Sequence, residues 1–330
     1  MARILVTGAS GFIGHKVAGQ LASAGHTVIA TGRDHSRLPQ ADAHLRAITA
    51  DLADDALDAL LEGCEVVVHS AALSSPWGRA EEFQRANVLA TQRLLEHALR
   101  HKVRRFIHIG SPSIYFRFRD QYGVEEAFDP PARWITDYAR TKWESECEVL
   151  AACARGLPAL ILRPRAVYGE GDRAILPRLL AVAARGWFPM IGGGRALVDV
   201  THIDNLVGLI EHCVDADVPT DGRAYNVSNG APVQVSHLLD TLFSALELDV
   251  KRVPVPRVPA LLLAGLAERV ALLRPGRPEP RLSRYGVGVL GYAQTLDISR
   301  ARCELGYDPN PDLEASLARY AQWWRTHGRA

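Results

Sequence analysis

A strand-like run, Ile4-Leu5-Val6, leads straight into Thr7-Gly8-Ala9-Ser10-Gly11-Phe12-Ile13-Gly14, and apolar residues at helical spacing follow from Gly14 to Ala24. This junction narrows the fold more than any other feature of the chain. Gly8 permits a tight turn, Gly11 lets backbone approach a pyrophosphate, and Gly14 allows close helix packing, while the helix N-terminus offers free N–H groups to phosphates. Ser10, Phe12 and Ile13 complete the turn and join the glycines as candidate cofactor contacts. A glycine-rich turn serving packing alone is the bland alternative, and the strand before and helix after weigh against it.

The same rhythm continues. Val28-Ile29-Ala30, Val66-Val67-Val68, Phe106-Ile107-His108-Ile109 and Ala159-Leu160-Ile161-Leu162 are short apolar runs that read as buried parallel strands. Between them Asp54 to Leu61, Phe83 to His101 and Tyr138 to Ala154 carry apolar residues at i, i+3 and i+4. Five alternations predict an α/β fold with a doubly wound parallel sheet. After Arg163-Pro164 glycine and proline become frequent. Residues 1–165 are therefore read as the dinucleotide-binding core, with 200–230 returning to it through Tyr225-Asn226-Val227. Residues 166–199 and 231–330 make a smaller C-terminal substrate lobe, helical from about Val235.

Composition excludes several classes. Hydrophobic residues at 48% and charged residues at 23% fit an ordinary folded chain of 330 residues. Lysine plus arginine (38) nearly cancels aspartate plus glutamate (37), so no net field attracts nucleic acid or an anionic membrane. The five cysteines lack a C-x-x-C pair, offer neither a metal site nor a disulfide framework, and read as reduced thiols. The chain starts Met-Ala-Arg and runs into its first strand without an export signal, so a cytoplasmic location is expected. The apolar stretch Ala260 to Ala267, even extended past Glu268 and Arg269 to Leu273, is too short to span a bilayer.

A nicotinamide site of this kind normally carries an acidic residue at the end of the second strand to bind the ribose 2′-OH. Here Ala30-Thr31-Gly32-Arg33-Asp34 puts glycine at that place and arginine next to it. Arg33, with Arg37 one turn later, suits a 2′-phosphate and favours NADP(H) over NAD(H). The alternative has both arginines solvated and Asp34 reaching back to the ribose. Asp51-Leu52, after a third short strand, suits the adenine ring, or is plain loop.

Tyr138-Ala139-Arg140-Thr141-Lys142 places a phenol and an ammonium on one helix face at i and i+4. Tyrosine serves as an acid or base near neutral pH when a positive charge stabilises its phenolate, and Lys142 supplies one. Gly110-Ser111-Pro112-Ser113-Ile114-Tyr115 follows the fourth strand, where a hydroxyl faces the ligand crevice. Ser111 is the first choice, Ser113 the second, and both merely capping the turn is the third reading.

Thr-Gly-x-x-Gly-x-x-Gly, Ser-x-Ser-x-Tyr, Tyr-x-x-x-Lys and Leu162-Arg163-Pro164-Arg165-Ala166-Val167-Tyr168-Gly169, in that order, resemble the extended short-chain dehydrogenases/reductases, the NAD-dependent epimerase/dehydratase group. The resemblance covers nearly the whole chain. It implies a Rossmann core with a C-terminal substrate lobe, Ser111, Tyr138 and Lys142 as the catalytic triad, and Lys142 also on the nicotinamide ribose. It further implies that Ala71, Ala72 and Pro164 line the cofactor, that Asn87 supports the active site beside it, and that the enzyme is a homodimer through two core helices.

Within the group, Gly194-Arg195-Ala196-Leu197-Val198-Asp199-Val200-Thr201 separates branches. Nucleotide-sugar epimerases and dehydratases usually hold a diphosphate with arginine where Val198 stands, and valine cannot pair with phosphate. The pattern resembles instead the 3β-hydroxysteroid dehydrogenases and the 2-alkyl-3-ketoalkanoate reductases, as does Thr295-Leu296-Asp297 with Leu305-Gly306-Tyr307. The expected enzyme is an NADP(H)-dependent oxidoreductase of a hydrophobic ketone, 3-keto acid or sterol-like. The alternative is a nucleotide-sugar epimerase or dehydratase with tightly bound NAD. The helix over Leu261 to Leu273 then reads as an apolar wall for the substrate or as ordinary lobe packing. Phe116-Arg117-Phe118-Arg119 with Trp134 reads as a cover in which Arg117 or Arg119 faces a carboxylate, or as a solvated loop.

Overall fold

The computed structural model describes residues 1–328. Seven strands, β1 (Arg3–Thr7), β2 (Thr27–Gly32), β3 (Leu45–Thr49), β4 (Val66–His69), β5 (Arg105–Ile109), β6 (Ala159–Pro164) and β7 (Asp221–Val227), form one sheet. Their order is β7-β6-β5-β4-β1-β2-β3, every pair parallel. Chain order reverses at β1, and in such sheets ligands bind in the crevice beyond the carboxyl ends of the strands at that point. This is a Rossmann fold.

Alternation along β1 sends Ile4 and Val6 to one face and Leu5 to the other. The first face packs on α1 (Phe12–Ser23) and α4 (Ile203–Asp215) through Val17, Leu21, Leu206 and Ile210. The second packs on α2 (Ala90–Arg100) and α3 (Asp137–Ala154) through Leu94, Leu95, Val149 and Ala152. Strands covered on both faces read as unbroken apolar runs, which is why β4, β5 and β6 are wholly buried. The edge strand β3, Leu-Arg-Ala-Ile-Thr, buries only Leu45 fully and shows no such run.

The lobe departs from the helical expectation after Val235. Lys251–Val255 is a strand that pairs in parallel with Trp187–Ile191, and its Pro254 is tolerated because a two-stranded ribbon has only edges. Four shorter strands form a second small sheet in the order 233–234, 197–198, 294–296, 121–124. Three successive left-handed residues, Gly192, Gly193 and Gly194, turn the chain between the two, a conformation that glycine adopts at least cost. Phe188, Leu239, Phe243, Leu317 and Tyr320 fill the lobe's core. Ile298, Ala301, Leu305 and Tyr307 return to the core of the large sheet.

The helix α5 (Arg257–Leu273) packs through Ala260, Ala264 and Ala271. Leu261 packs beside them, while Leu262, Leu263 and Leu266 face outward and are 60–70% exposed. Helix α6 (Arg284–Gly291) packs beside it, with Val287 in the same small cluster as Ala260 and Ala264. Among the described residues no helix is long and apolar enough to cross a membrane.

Candidate functional site

The glycine turn closes by steric necessity. Gly8 has φ 70°, and a Cβ there would lie 2.7 Å from the Ala71 nitrogen. A Cβ on Gly14 would lie 2.5 Å from the Gly8 carbonyl oxygen, so α1 starts directly on the turn. Gly11 differs: its Cβ would meet only the Gly8 oxygen, at 3.1 Å. Gly11 is also the N-cap of α1, with no side chain capping the first N–H groups. An open approach beside uncapped donors fits a pyrophosphate. Phe12 and Ile13 pack on the core, Ala71 and Ala72 sit half-buried after β4, and Gly171 lies over Phe12 and Lys16. Pro164 ends β6 opposite Val227, buried.

Gly32 occupies the place of the usual carboxylate because Ser10 fills it: a Cβ there would stand 2.6 Å from the Ser10 hydroxyl. Asp34 accepts from the Ser36 N–H and hydroxyl and pairs with Arg37 at 3.1 Å. Its pKa lies below the usual range, through Ser36 first and then through Arg37 and Arg173, a residue that sequence spacing gave no reason to place here. Arg33 is exposed and forms no ion pair among the described residues. Asp51 accepts from Ala53 and from both Arg85 amines at 3.0 and 3.1 Å. Burial opposes its ionisation, yet Ala53 and Arg85 hold its pKa below the usual range. Leu52 is buried, and its carbonyl accepts from Arg93.

Ser111 follows β5 and caps the turn Pro112–Tyr115, accepting from the Ser113 N–H while its hydroxyl donates to Ser113 Oγ at 2.9 Å. It also meets Tyr138. Burial pushes the Tyr138 phenol above its ordinary pKa, and hydrogen bonding with Ser111 and then Ser74 acts in the opposite sense. Ser111 thus serves as cap and neighbour of the phenol together, and Ser113 as its support. Lys142 is buried, donates to the Ile109 carbonyl at 2.7 Å, and is brought down to about 8 by burial, with Glu146 opposing. Asn87 ties the Ala71–Ser74 loop to α3: its carboxamide accepts from the Leu73 N–H at 2.6 Å and donates to Thr141 Oγ1 at 3.0 Å.

The floor of the site lies outside the sequence expectations. The His69 ring sits 2.8 Å from both Thr7 and Thr91 hydroxyls, and burial, then Lys142, lowers it to about 3. His108 stands 3.4 Å from the Lys142 ammonium and is likewise neutral, its pKa lowered by burial first. Two uncharged imidazoles therefore line Lys142. Below them Arg163 pairs with the fully buried Glu146 at 2.6 Å and donates to Tyr115, whose hydroxyl donates to Asn226. A histidine in a strand carries no periodic mark that separates it from core, and Ser74 lies in a loop; only the fold brings them to Tyr138.

The expected cover is partly solvated and partly packed. Phe116 is buried, with its ring edge-on to Phe118 and to Tyr285 at 5.5 and 5.4 Å. Arg117 does not face a carboxylate: it donates to the carbonyls of Ile114 and Phe116 and lies over Phe128. Arg119 is exposed.

Residues 4–228 match the NAD dependent epimerase/dehydratase family. Over 99% of both chains the protein is 35% identical to YbjS of Escherichia coli. It is 31% identical to a 2-alkyl-3-oxoalkanoate reductase of Stenotrophomonas maltophilia, over 96% of this chain and 98% of that one. The solved structure of MoeE5 in complex with UDP-glucuronic acid and NAD superposes with a TM-score of 0.77 at 28% identity, covering 98% and 99% of the two chains.

Proposed function

The chain belongs to the NAD dependent epimerase/dehydratase family, and from that premise we propose that it is an NADP(H)-dependent oxidoreductase interconverting a ketone and a secondary alcohol on a hydrophobic small molecule. That it is a short-chain dehydrogenase/reductase enzyme working with a nicotinamide dinucleotide follows from the family and its oxidoreductase relatives. The observation carrying the finer reading is Tyr138 beside Ser111 and Ser74, with Lys142 one turn on, at the carboxyl end of the sheet next to the open Gly11 cradle.

When bound, the reduced dinucleotide supplies the hydride. Tyr138, a phenol that burial holds further toward its protonated form, delivers the proton to the carbonyl oxygen. Ser111 and Ser74 orient that oxygen, and Lys142 at i+4 offers its ammonium to the phenolate left behind. The ketone gains hydride on carbon and proton on oxygen, and Tyr138 regains its proton from solvent. Gly8, Gly11, Gly14, Ser10, Ala71 and Ala72 would hold the dinucleotide, with Arg33 on the 2′-phosphate and Asp34 already engaged by Ser36 and Arg37.

A second reading, a nucleotide-sugar epimerase or dehydratase with tightly bound NAD, draws support from the likeness to MoeE5. Val198, buried in the lobe core, weighs against it. The test is net chemistry: with NADPH and a hydrophobic ketone, loss of reduced-nicotinamide absorbance should match alcohol formed, mole for mole. Turnover of a nucleotide sugar without net absorbance change would establish the second reading. In side-by-side titrations NADPH should bind at least tenfold, about 1.4 kcal/mol, tighter than NADH, and Arg33→Ala should erase the difference. The homodimer belongs to the same proposal; Leu150 on α3 is 43% exposed, and sedimentation of Leu150→Asp should give half the wild-type mass.

A further inference from the structure

We infer that the Arg165 guanidinium receives a carboxylate of the substrate, which makes the ketone a 3-oxo acid and not a neutral sterol-like molecule. The inference rests on the ketoreductase reading above.

Among the described residues three arginines are buried: Arg105, Arg163 and Arg165. The first donates through one amine to the carbonyls of Cys213, Val214 and Ala216 at 2.5–3.1 Å. The second pairs with Glu146. Arg165, 7% exposed, has no ion pair among the described residues, and its Nε is enclosed without a hydrogen-bond partner. A buried cation left so is costly unless something else completes it.

Its surroundings are unfinished in the same way. Asp199 accepts from the Leu296 N–H at 2.6 Å through one oxygen, while the other has no partner. Gln294, fully buried and paired by backbone with Val198 and Asp199, has neither amide atom satisfied. Buried polar atoms in native proteins are nearly always bonded, so Arg165 and Asp199, near enough to influence each other's charge, mark a place where a polar ligand belongs. Asp199 does not fill it: the carboxylate stays outside ion-pairing range of Arg165, and burial disfavours its ionised form.

The cluster faces the chemistry. Arg165 is the first residue after β6 and Ser111 the second after β5; the strands are neighbours, with Gly110 donating to the Leu162 carbonyl at 2.7 Å. Both side chains therefore start at the same end of adjacent strands. Tyr285 joins them: it is the hydrogen-bonding neighbour of Arg165 and lies close enough to Tyr138 for the two phenols to affect each other. The backbone is pinned to present the guanidinium. The Arg165 N–H donates to Val227, Thr201 Oγ1 donates to the Arg165 carbonyl at 2.6 Å, and Ala166 is held at φ 45°, a left-handed strain for a residue with a Cβ. Thr201 and Asp199 are the two polar positions of the Val198-Asp199-Val200-Thr201 stretch, which gives that stretch a task at the substrate.

The test compares a long-chain 3-oxo acid with its methyl ester, which keeps the ketone and removes the charge. Wild-type kcat/KM should favour the acid at least tenfold. Arg165→Met should lose ten- to a hundredfold on the acid, change little on the ester, and still bind NADPH as wild type does, which reports its folding; Arg165→Lys should recover part of the loss. Equal turnover of acid and ester by wild type, or equal loss on both in Arg165→Met, would overturn the inference. If wild type consumes NADPH with neither compound, the ketoreductase reading fails separately. Calorimetric binding of the 3-hydroxy acid to the NADP-loaded protein then decides: affinity lost in Arg165→Met upholds the carboxylate site, and unchanged affinity or no binding to wild type removes it.

Discussion

The two walls of the crevice are built on different principles. On the β1 side, backbone fills most of the space: Gly8 and Gly14 are closed to a side chain by backbone atoms within 2.8 Å, Gly32 by the Ser10 hydroxyl at 2.6 Å, and the open position is Gly11 beside the uncapped start of α1. On the β6 side, side chains converge from positions 165, 199 and 285, and polar atoms of Arg165 and Asp199 lack partners. A site made of backbone is complete when the chain folds. A site made of side chains is completed by its ligand, and so carries the specificity.

If this contrast holds, the largest effect comes from breaking the one finished side-chain pair near the polar wall. Arg163→Met leaves Glu146, fully buried, without its counter-ion. Thermal or denaturant unfolding should lose about 3–5 kcal/mol. Next comes Gly14→Ala, whose Cβ would meet the Gly8 oxygen at 2.5 Å. Stability should fall by about 1–3 kcal/mol, with weakened NADPH binding in titration.

The third effect is pH dependence. Lys142 has a pKa of about 8, brought down by burial. Its ammonium is present below that pH and lost above it, so ketone reduction should fall as pH rises through about 8. The slope approaches tenfold per unit, and the limb should vanish in Lys142→Met, whose remaining rate is low. The smallest effect contrasts a second helical glycine with Gly14. Gly265, in α5 of the lobe, meets nothing nearer than Arg284 at 3.5 Å, so Gly265→Ala should stabilise by about 0.5–1 kcal/mol.

This contrast also governs what the sequence discloses. Glycine spacing after an apolar strand states a backbone shape, so the turn at Gly8 to Gly14, the glycine at Gly32 and the return of Tyr225 to the sheet are legible locally. Tyr138 and Lys142 share a helix, and Ser111 ends a strand, so their convergence follows from one helix period and one topology rule. Ser74, His69, His108 and Arg165 have no local mark. Each is placed by a contact across 30 or more residues, such as His108 with Lys142 or Arg165 with Thr201. The lobe was least legible because its strands are two to five residues long and two contain proline.

The most direct measurement pairs an NADPH titration with single-turnover reduction of a hydrophobic ketone in wild type and Tyr138→Phe. The predicted result is unchanged cofactor affinity with hydride transfer slowed by about 10²–10⁴-fold, since the backbone wall is intact and only the proton donor is gone. Turnover within a few-fold of wild type, or loss of NADPH binding together with activity, would contradict the division of labour between the two walls.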